Sequence, residues 1–127
     1  MSQEEHRGEL VIRTLAMPKD TNANGDIFGG WLVSQMDLGG AILAKKVSHS
    51  RVVTAAIDQM SFLRPVNVGD TVCCYADLLE TGRTSMKILI QAWSVPYNSD
   101  ERGKVTEGVF TFVAIDEDGK PRPVGPK

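Results

Sequence analysis

Asn22-Ala-Asn-Gly-Asp-Ile-Phe-Gly-Gly-Trp-Leu-Val-Ser-Gln-Met-Asp-Leu-Gly-Gly40 joins a polar, turn-forming loop to a helical pattern that carries one carboxylate, Asp37, among apolar neighbours. The pair Gly29-Gly30 lets a ligand or another chain approach the backbone closely. The free N–H groups of the first helical turn then face whatever lies there. Such groups can hold a carbonyl oxygen as it gains negative charge.

Over 31–47 the residues Leu32, Val33, Met36, Gly40, Leu43, Ala44 and Val47 recur at helical spacing and make one apolar stripe, with Lys45 and Lys46 suited to the helix C-terminus. Trp31, Leu38 and Ile42 fall on roughly the opposite side, so the helix is apolar on two faces and is expected to be enclosed. Gly39-Gly40 in the helix interior costs roughly 1 kcal/mol per glycine relative to alanine. That cost makes sense where a strand or a partner helix comes very close.

Working outward, 10–17 reads as a first strand that Pro18 ends, and extended runs follow the helix at 52–63, 71–80, 84–95 and 105–115. The breaks at 65–69, 81–83, 96–103 and 117–119 are rich in turn formers. Alternation of Met86, Ile88, Ile90 and Ala92 with Lys87, Leu89, Gln91 and Trp93 predicts one fully buried and one mixed face. The order strand, helix, then four strands joined largely by hairpins is an α+β plan, a five-stranded antiparallel sheet around one helix. One such sheet cannot cover a helix apolar on two sides, so at least a homodimer is expected. The ends, 1–8 and 120–127, are expected to be flexible, the latter because the proline-rich 121–126 stretch favours extended or disordered backbone.

With 127 residues, 42% of them hydrophobic, the chain fits a single domain, 1–127. Fourteen basic and 16 acidic residues are well mixed, with a net charge of −2, which argues against a nucleic-acid partner. The 1–7 stretch lacks the apolar core of a signal peptide and no later stretch reaches the length of a membrane span, so a cytoplasmic location is expected. Cys73 and Cys74 are adjacent in a strand and point to opposite faces, which excludes a disulfide between them and reads as two reduced, structural thiols.

Several motifs bear on chemistry. Asp20-Thr-Asn22-Ala-Asn24-Gly25-Asp26 matches the opening of an EF-hand loop, but the twelfth position is Trp31 instead of glutamate and a strand precedes it, so no metal site is expected. Asp37 lies about two helical turns beyond Gly30 at the margin of the apolar stripe. Partial desolvation there would raise its pKa and make it a stronger base, while spacing alone equally allows a solvated or structural aspartate. His6 and His49 sit in no triad or metal-ligand arrangement. No phosphate loop or dinucleotide fingerprint occurs, so ATP and nicotinamide cofactors are unsupported. Arg64-Pro65 and Gly82-Arg83-Thr84-Ser85, with Arg51 and Lys87 nearby in sequence, offer donors suited to phosphate or to ordinary turn and edge chemistry.

Taken together, Leu10-Val-Ile-Arg-Thr-Leu-Ala-Met-Pro18, the loop from Asp20 to Trp31, Gln35-Met-Asp-Leu-Gly-Gly-Ala-Ile-Leu-Ala-Lys45, Arg51-Val-Val-Thr54, Phe62-Leu-Arg-Pro65 and Gly69-Asp-Thr-Val-Cys-Cys-Tyr75 resemble hotdog-fold acyl-CoA thioesterases of the bacterial YciA type. The resemblance covers nearly the whole chain. It implies a sheet wrapped around the long helix, a double-hotdog dimer and a trimer of dimers. It further implies hydrolysis of acyl-CoA, over a broad range of chains, to a carboxylic acid and CoA, with CoA as part of the substrate and no cofactor.

Position by position, the family's helix carboxylate is Asp37, as general base or as nucleophile, and the facing loop amide is Asn22, with Asn24 as the alternative. Related branches often carry histidine before the glycine pair; here Phe28 stands there, which leaves the Gly30 N–H as the oxyanion donor. Arg83, Thr84, Ser85 and Arg64 would meet the CoA phosphates, with pantetheine running beside Val53 and Thr54. The rival readings are a hydroxyacyl-thioester dehydratase, which needs a histidine paired with a carboxylate, and a non-catalytic acyl-CoA binder.

Overall fold

The helical stripe forms α1 (Gly29–Ser48), which buries Leu32, Met36, Gly39, Gly40, Leu43 and Ala44, in a computed structural model that describes residues 5–125. The helix starts after Phe28, whose backbone is extended, and stops at His49, whose φ of 57° is left-handed and whose N–H donates to Lys45 O at 2.8 Å. Lys45 and Lys46 occupy its last turn, against the negative end of the helix dipole.

Around it lie β1 (Glu9–Leu15), β2 (Arg51–Ile57), β3 (Thr71–Thr81), β4 (Ser85–Val95) and β5 (Gly103–Ile115), all antiparallel, in the order β1-β3-β4-β5-β2. This is the α+β hotdog plan: all five strands touch α1, and β3, β4 and β5 are consecutive hairpins. The inner face of the sheet supplies Val72, Cys74, Met86, Ile88, Ile90, Phe110 and Phe112, which close on Met36 and Leu43 of the helix. A side chain at Gly40 would put its Cβ 2.8 Å from Phe112 Cζ, and one at Gly39 would meet Val11 Cγ2 at 2.7 Å. The glycine pair is therefore where the sheet comes down onto the helix backbone.

Three differences from the sequence reading have local causes. Strand β2 ends at Ile57 and not at 63. Beyond it the chain still tracks β5, with Asp58 N donating to Val109 O and Leu63 N to Val105 O, but Met60 turns in over Gly108 and breaks the ladder. The mixed face of β4 is also covered: Trp93 and Gln91 are buried, because Arg102 lies 4.1 Å from the Trp93 ring centroid and His6 stacks on Tyr75 at 3.6 Å.

The third concerns the ends. The proline-rich segment folds back, Arg122 N donating to Ala114 O and Val124 N to Arg83 O, both at 2.9 Å. At the other end Arg7 bonds Asp77 and Gln91. The rest of the expected flexible ends, 1–4 and 126–127, lies outside the described residues.

Candidate active site

The loop before α1 is shaped by its own polar side chains. The buried Asp20 carboxylate accepts from Met17 N and Lys19 Nζ, each at 3.1 Å. Asn22 Oδ1 accepts from Asn24 N at 2.9 Å and from Asp26 N at 3.2 Å, and Gly25 takes a φ of 85° to close the turn. Of the oxygens that imitate an EF-hand, those of Asp20 and Asn22 are thus spent within the loop. With its oxygen engaged, Asn22 has only its amide N–H donors to present outward.

That loop, the start of α1 and the segment after β2 enclose a cavity of about 290 Å³ lined by Asn22, Asp26, Ile27, Phe28, Gly29, Leu32, Phe62, Arg64, Pro65, Val66 and Val105. Asn22 lines it and Asn24 does not. Gly29 and Gly30 are the first residues of the helix, so their N–H groups have no acceptor within it. Phe28, as the capping residue, supplies no side-chain acceptor either. Arg64 reaches from the cavity to lie over Gly103, where any side chain would collide with its guanidinium.

Asp37 stands apart from the cavity. It is half-buried, and its Oδ1 accepts the Thr54 hydroxyl proton at 2.5 Å, which ties the middle of α1 to β2. Val53, exposed beside Thr54, pairs with Val113, which on its other side pairs with Ser85. At about 4.8 Å per strand, the 83–85 turn and Val53 are some 10 Å apart on one end of the sheet. In that turn Thr84 O accepts from Ala114 N and Gly82 N donates to Ser85 O, while the Arg83 side chain is exposed.

The expected residues therefore fall into two groups within one chain. Asp37, Val53, Thr54, Arg83, Thr84 and Ser85 share one region; Asn22, Gly30 and Arg64 gather around the helix N-terminus. Seven residues of helix, roughly 10 Å of axial rise, separate Gly30 from Asp37. The Thr54–Asp37 bond was not legible in the sequence, because it depends on which strand lies beside the helix. Phe62, which meets the helix N-terminus, was likewise hidden inside what read as a strand.

A family model described as thioesterase superfamily matches residues 24–96. The acyl-CoA thioester hydrolase YciA of Salmonella typhimurium is 61% identical over 121 residues, covering 93% of this chain and 91% of that protein. A hexameric thioesterase from Yersinia pestis is similar in structure, with a TM-score of 0.92 and 57% identity, covering 97% of this chain and all of that one. A hexameric broad-specificity acyl-coenzyme A thioesterase gives a TM-score of 0.92 at 53% identity, over 98% of this chain and 86% of the other.

Proposed function

The chain belongs to the thioesterase superfamily and is a thioester hydrolase, and from that premise we propose that it hydrolyses acyl-CoA thioesters of a broad range to carboxylic acid and CoA, with Asp37 at the centre of the chemistry. The observation that carries this assignment is the Thr54–Asp37 hydrogen bond, which engages one carboxylate oxygen and leaves the other to accept a proton from water.

In this reading Asp37 removes a proton from water as the water oxygen bonds to the thioester carbon. The carbonyl π electrons move onto oxygen, where the Gly30 N–H holds the developing charge. The C–S bond then breaks and its electron pair leaves as the CoA thiolate. A thiol of pKa about 8.5 is a good leaving group near neutral pH and needs little general-acid help. Direct attack by Asp37, through an anhydride that water then opens, uses the same residues. Asn22 would donate to the water or the thioester. No cofactor enters, because CoA is part of the substrate.

Asp37 and Gly30 of one chain are too far apart to share one small thioester, so the complete site would take Asp37 from one protomer and the glycine turn with Asn22 from a second copy. The exposed side of α1 supports this: Leu38 is 57% and Ile42 49% exposed, and Val53 of β2 is 45% exposed. We extend it to the hexamer, a trimer of dimers, named for the solved relatives. Arg83, Thr84, Ser85 and Arg64 would bind the CoA phosphates, with pantetheine along Val53 and Thr54. No described helix is long and apolar enough to cross a membrane, and two free cysteines agree with a cytoplasmic setting.

A dehydratase is disfavoured because His6 lies on the outer face against Tyr75 and His49 caps the far end of α1. Following free thiol released from acyl-CoA by the native protein and by Asp37→Asn tests the reading. Turnover lost in the variant, with CoA binding kept, is expected; equal turnover would remove Asp37 from the chemistry, and a native protein that binds acyl-CoA without releasing thiol would be a binder.

A further inference from the structure

We propose that the cavity at the helix N-terminus receives the acyl chain, and that the Phe62 and Phe28 rings at its mouth decide which chains enter. The inference rests on the acyl-CoA reading and adds the specificity determinant to it. Its floor is formed by Ile27, Leu32, Val66 and Val105, all buried and apolar, while the polar residues Asn22, Asp26 and Arg64 stay at the rim. Nothing on that floor donates or accepts a side-chain hydrogen bond, so a methylene chain can replace water there without stranding a polar group.

Position makes the cavity the acyl side of the substrate. Gly29 is part of its wall, and the Phe62 ring lies 3.5 Å from where a Gly29 Cβ would stand. The Phe28 ring approaches the corresponding point on Gly30 to 3.4 Å. Both rings therefore lie against the glycine pair whose Gly30 N–H is assigned to the oxyanion. A carbonyl oxygen held about 3 Å from that nitrogen brings the first methylenes of its acyl chain within reach of the rings. Phe28 and Phe62 are 41% and 49% exposed, so each can be replaced without opening the core.

S-alkyl-CoA thioethers of increasing length cannot be hydrolysed and so read the pocket independently of catalysis. In calorimetry the native protein should bind them about fourfold more tightly per added methylene until the cavity is filled. Phe62→Trp should flatten that gain at a shorter chain, and Phe62→Ala should extend it to longer ones. The same variants should shift the chain-length optimum of kcat/KM for the matching thioesters in the same direction. Native-like length dependence in both Phe62 variants and in Phe28→Ala would overturn the proposal while leaving thioester hydrolysis standing. Length-dependent binding with no thiol release would instead sink the hydrolase reading and leave the pocket.

Discussion

At the residue scale the proposed mechanism turns on a carboxylate held by a hydroxyl. Positioned general bases contribute about 100- to 10,000-fold, and Asp37→Asn should lower kcat by that order while circular dichroism and melting stay native-like. Thr54→Val keeps the shape and deletes the donor to Asp37 Oδ1; a kcat reduced on the order of tenfold, with KM nearly unchanged and recovery in Thr54→Ser, would mark Thr54 as a positioning residue. Asp37 was legible because one charge in an apolar helical pattern stands out, whereas its partner seventeen residues on could not be read without the tertiary fold.

A second residue-scale prediction concerns pH. Burial, and then the Arg102 guanidinium, hold His6 below its ordinary 6.5, with Glu5 opposing them. The unfolded chain therefore binds more protons than the folded one below that value, and the contribution of His6 to stability is complete above pH 6.5 and falls away as pH drops toward its depressed pKa. His6→Phe keeps a ring for stacking on Tyr75 and cannot titrate. Its melting temperature should fall less than that of the native protein from neutral to mildly acidic pH; parallel curves would show that His6 contributes nothing to this dependence.

Among the elements, α1 was the most legible because both of its apolar faces and its glycine pair follow from spacing alone. The reason for the pair was only half visible: sequence called for something close, and the structure supplies β1 over Gly39 and Ile90 with Phe112 over Gly40. The two sites respond differently to a methyl group. Helix propensity favours alanine by about 1 kcal/mol at either. At Gly40 the methyl meets Ile90 Cδ1 and two Phe112 ring atoms at once, all fully buried with little room to give way, and overpacking of that kind costs about 1–3 kcal/mol. At Gly39 it meets the end of a half-buried valine that can rotate. Urea unfolding should therefore show Gly40→Ala losing clearly more stability than Gly39→Ala, and a reversed ranking would mean that the sheet adjusts to the helix more freely than its packing implies. Strand β2 was read too long for a related reason: composition across 52–63 is strand-like, and only Met60 seated over Gly108 ends the regular ladder.

Considered as a whole molecule, one chain holds the two halves of the proposed site in separate places, and the sequence hinted at this only as a helix needing more cover than its sheet can give. If the site is shared between copies, two inactive variants should rescue each other. Asn22→Ala removes the loop amide and Asp37→Asn the carboxylate; each alone should be nearly inactive. Unfolding and refolding an equal mixture produces mixed dimers as half of the total by random pairing, and each mixed dimer has one site with both groups intact and one with neither. Recovered activity should then approach about a quarter of the native value, the statistical limit for a two-fold interface with one good site per mixed pair. A site built within one chain predicts no recovery at any mixing ratio. Placing a charge on the exposed helix face, as in Ile42→Asp, should both shift the protein to smaller species in analytical ultracentrifugation and abolish that rescue. Native-level activity in Ile42→Asp chains that sediment as monomers would show that Asp37 and Asn22 meet without a partner, and would require α1 and its preceding loop to rearrange together.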